Sequence, residues 1–304
     1  MKKKLSVLLV CALLCLILGG CAFDGKKTAV TVSGTDIDEE IYNYYYDEVS
    51  KRPADYGLGE DPSSSELKDA AVNQCVRYLA FNTYFAQEGL SLSVPDKVTI
   101  ADNVNNFWLR GENHYKKIGV SKPTLTKIFT SEAYKDAIFT YLYDKGTEDT
   151  EAEGQVKAYF YSSYISFRNI CAYFTSDDSA GKLTEQERLD LVNSFSLIAA
   201  ASGTDSEGFT SACADAGYVA SGTVVLAKGS EGYPEGFYES VNMMAPGEVK
   251  VLQYDDCVFA VRKESLTDLG DGLYSGYRDT CIKEMHAAEW EAFVEDYVST
   301  FTVE

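Results

Sequence analysis

The chain has 304 residues, 45% hydrophobic and 13% aromatic, enough apolar side chain for about two packed domains. Its 27 basic residues are outnumbered by 47 acidic ones, a net charge of −20, which argues against nucleic acid and against electrostatic adhesion to anionic lipid. Such a surface suits solubility or basic partners.

Lys2, Lys3 and Lys4 precede the apolar run LSVLLVCALLCLIL, a basic segment and a hydrophobic segment too short for a convincing membrane span. The run ends in Leu18-Gly19-Gly20-Cys21. This resembles a bacterial lipobox, which implies a signal peptide over residues 1–20, cleavage before Cys21, diacylation of that cysteine and a lipidated tether over 21–27; an ordinary signal peptide with a chance cysteine is the alternative. Two acyl chains anchor stably where one does not. Loss of the signal removes three lysines and no acids, taking the charge from −20 to −23. Cys75, Cys171, Cys213, Cys257 and Cys281 remain, an odd number without a Cys-x-x-Cys, mostly at apolar positions as buried thiols are. A Cys171–Cys257 disulfide stays open, and no metal site is expected.

TAVTVS (Thr28 to Ser33) reads as a strand ending at Gly34. Asp36 and Glu39 then read as a capping box for the first helix, on which Tyr42, Tyr45 and Tyr46 fall near one face and pack at the core or its boundary. Ser65 is placed to cap a second helix over residues 66–88, stopped by Gly89. Ser93 with Pro95 and Asp96 starts a third helix running through Trp108, and Ser121 with Pro123 a fourth reaching about Tyr143. The charged stretch Gly146 to Gly154 is a boundary, followed by the helix QVKAYFYSSY.

Ile165 to Phe174 (ISFRNICAYF) alternates as a half-buried strand ending in the loop TSDDSAGK. Thr184 with Glu187, and Thr204 with Glu207, cap two helices. Gly-rich sequence from Gly217 to Gly236 leads into two short strands around an Asp255-Asp256 turn. Leu266 to Gly272 is a second boundary. One long helix over residues 273–296 follows, and a final VSTFTV pairs with TAVTVS, which joins the two chain ends in one domain.

The order and turn residues of the central segment resemble the parvulin type of peptidyl-prolyl isomerase. The most specific match is the intact turn Pro246-Gly247-Glu248-Val249; Lys228-Gly229, Pro234-Glu235 and Phe237 match more loosely. Where that family carries His-Ile-Leu this chain reads Asn169-Ile170-Cys171, and where it carries Gly-Tyr-His-Ile-Ile the chain reads Asp256-Cys257-Val258-Phe259, so both family histidines are absent. The strand, turn and aromatic helix at the start, with GLSLSVPD further on, resemble the N-terminal chaperone segment of the PrsA and SurA families. Together these resemblances imply an α+β fold. A mainly helical chaperone domain is built from residues 28–150 and 266–304, and a parvulin-like α/β module over 151–265 is inserted into it.

The function implied is a foldase or chaperone anchored to the membrane through the lipid at Cys21, on its extracytoplasmic face, binding unfolded or newly exported polypeptides with weak multi-point contacts. No cofactor is expected. Asn169 and Cys257 hold the positions equivalent to the family's catalytic ones, and Tyr233, Phe237, Met244 and Phe259 are the candidate substrate-binding residues. Neither Asn169 nor Cys257 reproduces an imidazole pair, so isomerase activity is expected to be weak or absent. An active isomerase with a rearranged site, and a solute-binding lipoprotein of a transporter, are the alternatives. A hydrolase is weakest, since there is no Gly-x-Ser-x-Gly or His-Glu-x-x-His, and His114 beside Glu112 reads as a surface pair.

Overall fold

A computed structural model describes residues 27–175, 182–203 and 205–304. The expected signal peptide, Cys21 and most of the TSDDSAGK loop lie outside the described residues. The fold is α+β, and the chain divides into two compact units: one runs to Asp144 and resumes over Ala288–Glu304, the other spans Lys145–Ala287.

The first unit opens with a hairpin. Strand β1 (Thr28–Val32) pairs antiparallel with β2 (Thr35–Asp38) through Ser33 and Gly34, both at positive φ, the mirror-image turn that matches strand twist. Asp36 therefore belongs to a strand and accepts from the Thr31 hydroxyl. The expected Asp36/Glu39 box is replaced by Asp38, whose side chain accepts from the Glu40 backbone to cap α1 (Glu39–Lys51). On α1 Tyr45 is buried, while Tyr42 and Tyr46 stack on each other half-exposed. Helix α2 (Ser64–Gln87) is capped by Ser63, in a reciprocal box with Glu66, rather than by Ser65. Helix α3 (Val94–Lys117) starts at Ser93 as expected but continues well past Trp108; α4 (Lys122–Tyr143) matches its expected span.

The C-terminal helix α10 (Ala287–Val298) is held in this unit by aromatic packing. Trp290 stacks on Phe81 of α2 at 6.1 Å and meets Phe139 of α4 edge-on at 5.5 Å, and Arg77 pairs with Glu295. Beyond it the chain end reaches β1. The Ser33 amide donates to the Thr302 carbonyl at 2.7 Å, and the Glu304 amide to Thr31 at 3.0 Å. The joining of the two ends is thus a single bridge, Val32 with Val303, because Val298 still belongs to the helix.

The second unit is a four-stranded antiparallel sheet in the order β4-β3-β6-β5, with β3 at Tyr164–Tyr173, β4 at Val224–Ala227, β5 at Val249–Gln253 and β6 at Cys257–Glu264. Helices α6 (Glu185–Ala201) and α7 (Ser206–Asp215) cover one face, burying Phe195, Ile198 and Phe209 against Ile170, Val258 and Ala260. Short α8 (Phe237–Asn242) covers the other, where Phe237, Val241 and Met244 pack on Ile165, Phe167, Phe259 and Val261. The half-buried strands expected from alternation are covered on both faces, and β6 is buried from Cys257 through Lys263. Thr184 and Glu187 form the expected box on α6. Asp205 caps α7, while Thr204, the expected cap, lies outside the described residues.

Two boundaries differ from the sequence reading. The acidic linker is in part a helix: α5 (Thr150–Ser163) is capped by Asp149 and carries Glu151 and Glu153 in its first turn, where the helix dipole favours acids. The expected long terminal helix is two, α9 (Asp271–Met285) and α10, and α9 falls in the second unit. Its attachment to α5 explains this. Phe160, fully buried, is ringed by Tyr164, Tyr274 and Tyr277 within 5.8 Å, and Glu153 accepts from the Tyr274 hydroxyl at 2.6 Å and from Arg278 at 2.8 Å.

Trp290→Ala is expected to cost about 3–5 kcal/mol in equilibrium unfolding, and Ser63→Ala about 1 kcal/mol, whereas Ser65→Ala leaves stability nearly unchanged. Glu153 supplies a pH signature. Burial works to raise its carboxyl pKa, but the bonds from Tyr274 and Arg278 outweigh burial and hold it below the ordinary carboxylate value. A group depressed on folding contributes fully above its unfolded pKa, and that contribution is lost as pH falls through the folded value. Unfolding midpoints followed from neutral pH into acid should show Glu153→Gln with a shallower loss than the native chain; identical slopes would mean that the Glu153 clamp contributes nothing.

Candidate functional site

The parvulin-like turn is formed as its residues dictate. Pro246 and Gly247 occupy its centre, Gly247 at φ 82°, and the Glu248 amide donates to the Ala245 carbonyl at 3.0 Å; proline followed by a positive-φ glycine is the type II pattern. The Gly247 amide donates to Lys263 and the Lys263 amide to Glu248, each at 2.9 Å, which sets β5 in register on β6.

That pairing leaves a groove of about 620 Å³ at one end of the sheet, bordered by the end of β3, the β5–β6 turn and the loop before α8. Tyr233 and Phe259 line it together with Tyr173, Tyr254 and Cys257. Tyr233 stacks on Phe237 at 4.4 Å, and Phe237 meets Phe259 edge-on at 5.0 Å, so the groove wall is braced by an aromatic layer beneath it. Phe237 is fully buried and Met244 only 4% exposed; both lie in the core cluster rather than along the groove. Glu235, Asp255 and Asp256 place three acids at its border. Arg188 donates to the Asp255 carbonyl at 3.2 Å and lies 4.4 Å over the Phe174 ring.

Asn169 and Cys257 are not brought together. Asn169 is opposite Val261 and Cys257 is opposite Tyr173, four residues apart along β3, or about 13 Å at strand rise. The Asn169 backbone is satisfied by Ser221, whose hydroxyl accepts from it at 2.9 Å and whose amide donates to it at 2.8 Å. Asn169 is half-buried and does not border the groove. Cys257 instead lies near Cys171, diagonal to it across β3 and β6 and packed in the same cluster. Burial, then the neighbouring Cys257, pushes the Cys171 thiol up to about 11; burial also raises that of Cys257, and Asp256 adds to it. Neither is a thiolate nucleophile near neutral pH.

The groove therefore offers aromatic surface, an acidic border and the Cys257 thiol, with no imidazole. His114 lies in the other unit, where it bonds to Asp47 at 2.8 Å while Glu112 pairs with Lys116, so the expected His114–Glu112 pairing is not formed. Among the described residues no group of three or more histidine, cysteine, aspartate or glutamate side chains converges as a metal site. All five described cysteines are free thiols. Tyr254 and Tyr173 are the groove residues that the sequence did not single out; alternation along β3 places Cys171 on the face of Phe167, but only the register shows what faces it.

The first unit carries two further clefts. One, of about 390 Å³, is lined by Tyr45, Tyr56, Tyr78 and Phe81 with Asp55 and Glu132. The other, of about 630 Å³ between α3 and α4, is lined by Ile100, Phe129 and Tyr141 with Asp96 and Asp136. Along α3, Val94, Val98 and Leu109 are exposed at spacings that share one helix face.

No family profile matches the chain, and no curated protein matches it. Among solved structures it is similar to the foldase protein PrsA of Streptococcus pneumoniae, with 12% identity and a TM-score of 0.40 over 90% of this chain and 92% of that one. It is also similar to the PrsA foldase of Lactococcus lactis, with 14% identity and a TM-score of 0.37 over 91% and 95%. The chain matches PrsA of Bacillus subtilis as well, at 13% identity and a TM-score of 0.26 over 90% and 91%. With scores below one half, these likenesses carry no residue-level correspondence.

Proposed function

We propose that the protein is a lipid-anchored extracytoplasmic foldase or chaperone that holds unfolded exported segments, with little or no prolyl isomerase activity. The observation that carries the reading is the groove itself: an aromatic wall with an acidic border and no imidazole, in a module whose turn residues resemble parvulin. Rotation about a peptide bond faces a barrier of about 18–20 kcal/mol. Lowering it needs groups arranged around one twisted amide, and positions about 13 Å apart along the strands do not supply them. Holding an unfolded chain asks for less. Shallow apolar clefts spaced over two units bind weakly one at a time and tightly in combination, and acids beside aromatic rings favour client segments rich in lysine, arginine and aromatic residues.

A solute-binding lipoprotein is the poorer reading, because one unit is mainly helical and the sheet of the other is wholly antiparallel, without the repeated strand–helix alternation of α/β lobes. Membrane attachment rests on Leu18-Gly19-Gly20-Cys21. If that motif is processed, Cys21→Ala moves the protein from the membrane to the soluble fraction on fractionation; a variant that stays membrane-bound rules out the lipid at that position.

The deciding assay uses residues 25–304 on a proline peptide, beside Asn169→His with Cys257→His. The expected rate equals the uncatalysed one in both, since the two histidines would lie too far apart to act on one amide. In parallel the protein should suppress aggregation of an unfolded basic client, less well at high salt and less well as Tyr233→Ala. Acceleration by the native protein establishes an isomerase with a rearranged site, and failure to suppress aggregation removes the chaperone reading.

A further inference from the structure

We propose that Cys171 and Cys257 form a two-coordinate site for a soft monovalent metal ion, Cu(I) or Ag(I), at the side of the groove. The inference stands apart from the foldase reading, since it rests only on the register of two strands and the chemistry of two thiols.

The strands place the pair. Cys171 lies opposite Phe259 and Cys257 opposite Tyr173. Because the Phe174 amide donates to the Asp256 carbonyl, these two pairs are of the non-hydrogen-bonded kind, whose side chains approach most closely. Both cysteines point to the face that carries Phe167 and Phe259, as diagonal neighbours packed in one cluster.

Magnitudes separate the two things such a pair can do. Diagonal partners on an antiparallel sheet have α-carbons about 7–8 Å apart, whereas a disulfide spans about 4.4–6.8 Å, so oxidation requires two strands packed on both faces to shift. Metal–thiolate bonds of about 2.3 Å put two sulfurs on opposite sides of an ion about 4.6 Å apart. Two cysteine side chains on one face of the sheet, with α-carbons about 7–8 Å apart, reach that separation by rotation about their own bonds. The geometry disfavours the disulfide and suits the ion.

The donor set then selects the metal. Two thiols with no third histidine, cysteine, aspartate or glutamate converging on them among the described residues satisfy a soft closed-shell cation and leave a harder divalent ion short of ligands. Cys257 borders the open groove, and Glu235, Asp255 and Asp256 around it draw cations towards it. Binding is proton-coupled: M⁺ and two R–SH give [M(SR)₂]⁻ and two H⁺, with both sulfur–hydrogen bonds broken, two metal–sulfur bonds formed and no change of oxidation state. The metal must displace both thiol protons, so binding tightens as pH rises.

The test titrates reduced residues 25–304 with Ag(I) in chloride-free buffer, following thiolate-to-metal absorption and native mass. One tight equivalent is expected. Cys171→Ser and Cys257→Ala should each weaken it by more than about a hundredfold, beyond the effect of an outer-shell change, while Cys213→Ser, a buried thiol on α7, leaves it intact. Circular dichroism checks each fold; should Cys257→Ala unfold, Cys171→Ser at the half-buried position decides alone. The proposal is overturned if the tight equivalent survives Cys171→Ser or is lost in Cys213→Ser. It is overturned equally if oxidised glutathione links Cys171 to Cys257 in the folded protein, since the strands would then close to disulfide distance.

Discussion

The antiparallel pairing of β3 with β6, from Ser166 with Glu264 to Tyr173 with Cys257, is the constraint on which the second unit depends. Side chains alternate across a sheet with a period of two, so one register assigns every residue of both strands to a face. Odd positions look towards Phe237 and Tyr233, even positions towards α6 and α7. A slip by one residue would turn Phe167 and Phe259 into the wrong layer and Arg262 into the aromatic one. As built, Arg262 reaches Glu264 at 2.6 Å and Ser206 at 3.1 Å, tying the start of α7 to the sheet through a buried charge pair with its own partners. The same register sets the groove end, brings Cys171 to Cys257 and keeps Asn169 away from Cys257.

The proposed function rests on what this arrangement supplies. A central strand covered on both faces makes a stiff floor, and stacked Tyr233 and Phe237 brace one wall. Stiff aromatic surface binds chain segments at low entropic cost. The groove lining carries no imidazole, and burial raises the pKa of its one thiol, Cys257.

Much of this was legible in the residues, for local reasons. Capping boxes at Ser93 and Thr184 and the Pro246-Gly247 turn are short-range devices whose atoms lie within a few residues of one another, so the chain alone specifies them. The meeting of the two ends was readable from matching alternation, and the α+β class from the change of period. Failures came where several local solutions compete. Asp36 and Asp38 are both plausible caps, as are Ser63 and Ser65, and the choice falls to whichever residue the hairpin or loop leaves free. The acidic run at 146–154 looks like a linker because charge is also what the first turn of a helix favours.

The sequence by itself determined the acidic charge, the lipobox-like start, the helices and turns, the parvulin-like order and the absence of both family histidines, because each is a property of composition or of neighbours along the chain. Only the tertiary structure decided that α9 belongs with α5, that Phe237 and Met244 are core, and that Tyr254 and Cys171 belong to the groove environment. These depend on contacts between residues far apart in the chain, such as Glu153 with Arg278 and Tyr173 with Cys257. Register and packing choose such contacts among many that the periodicity of one strand or helix leaves equally allowed.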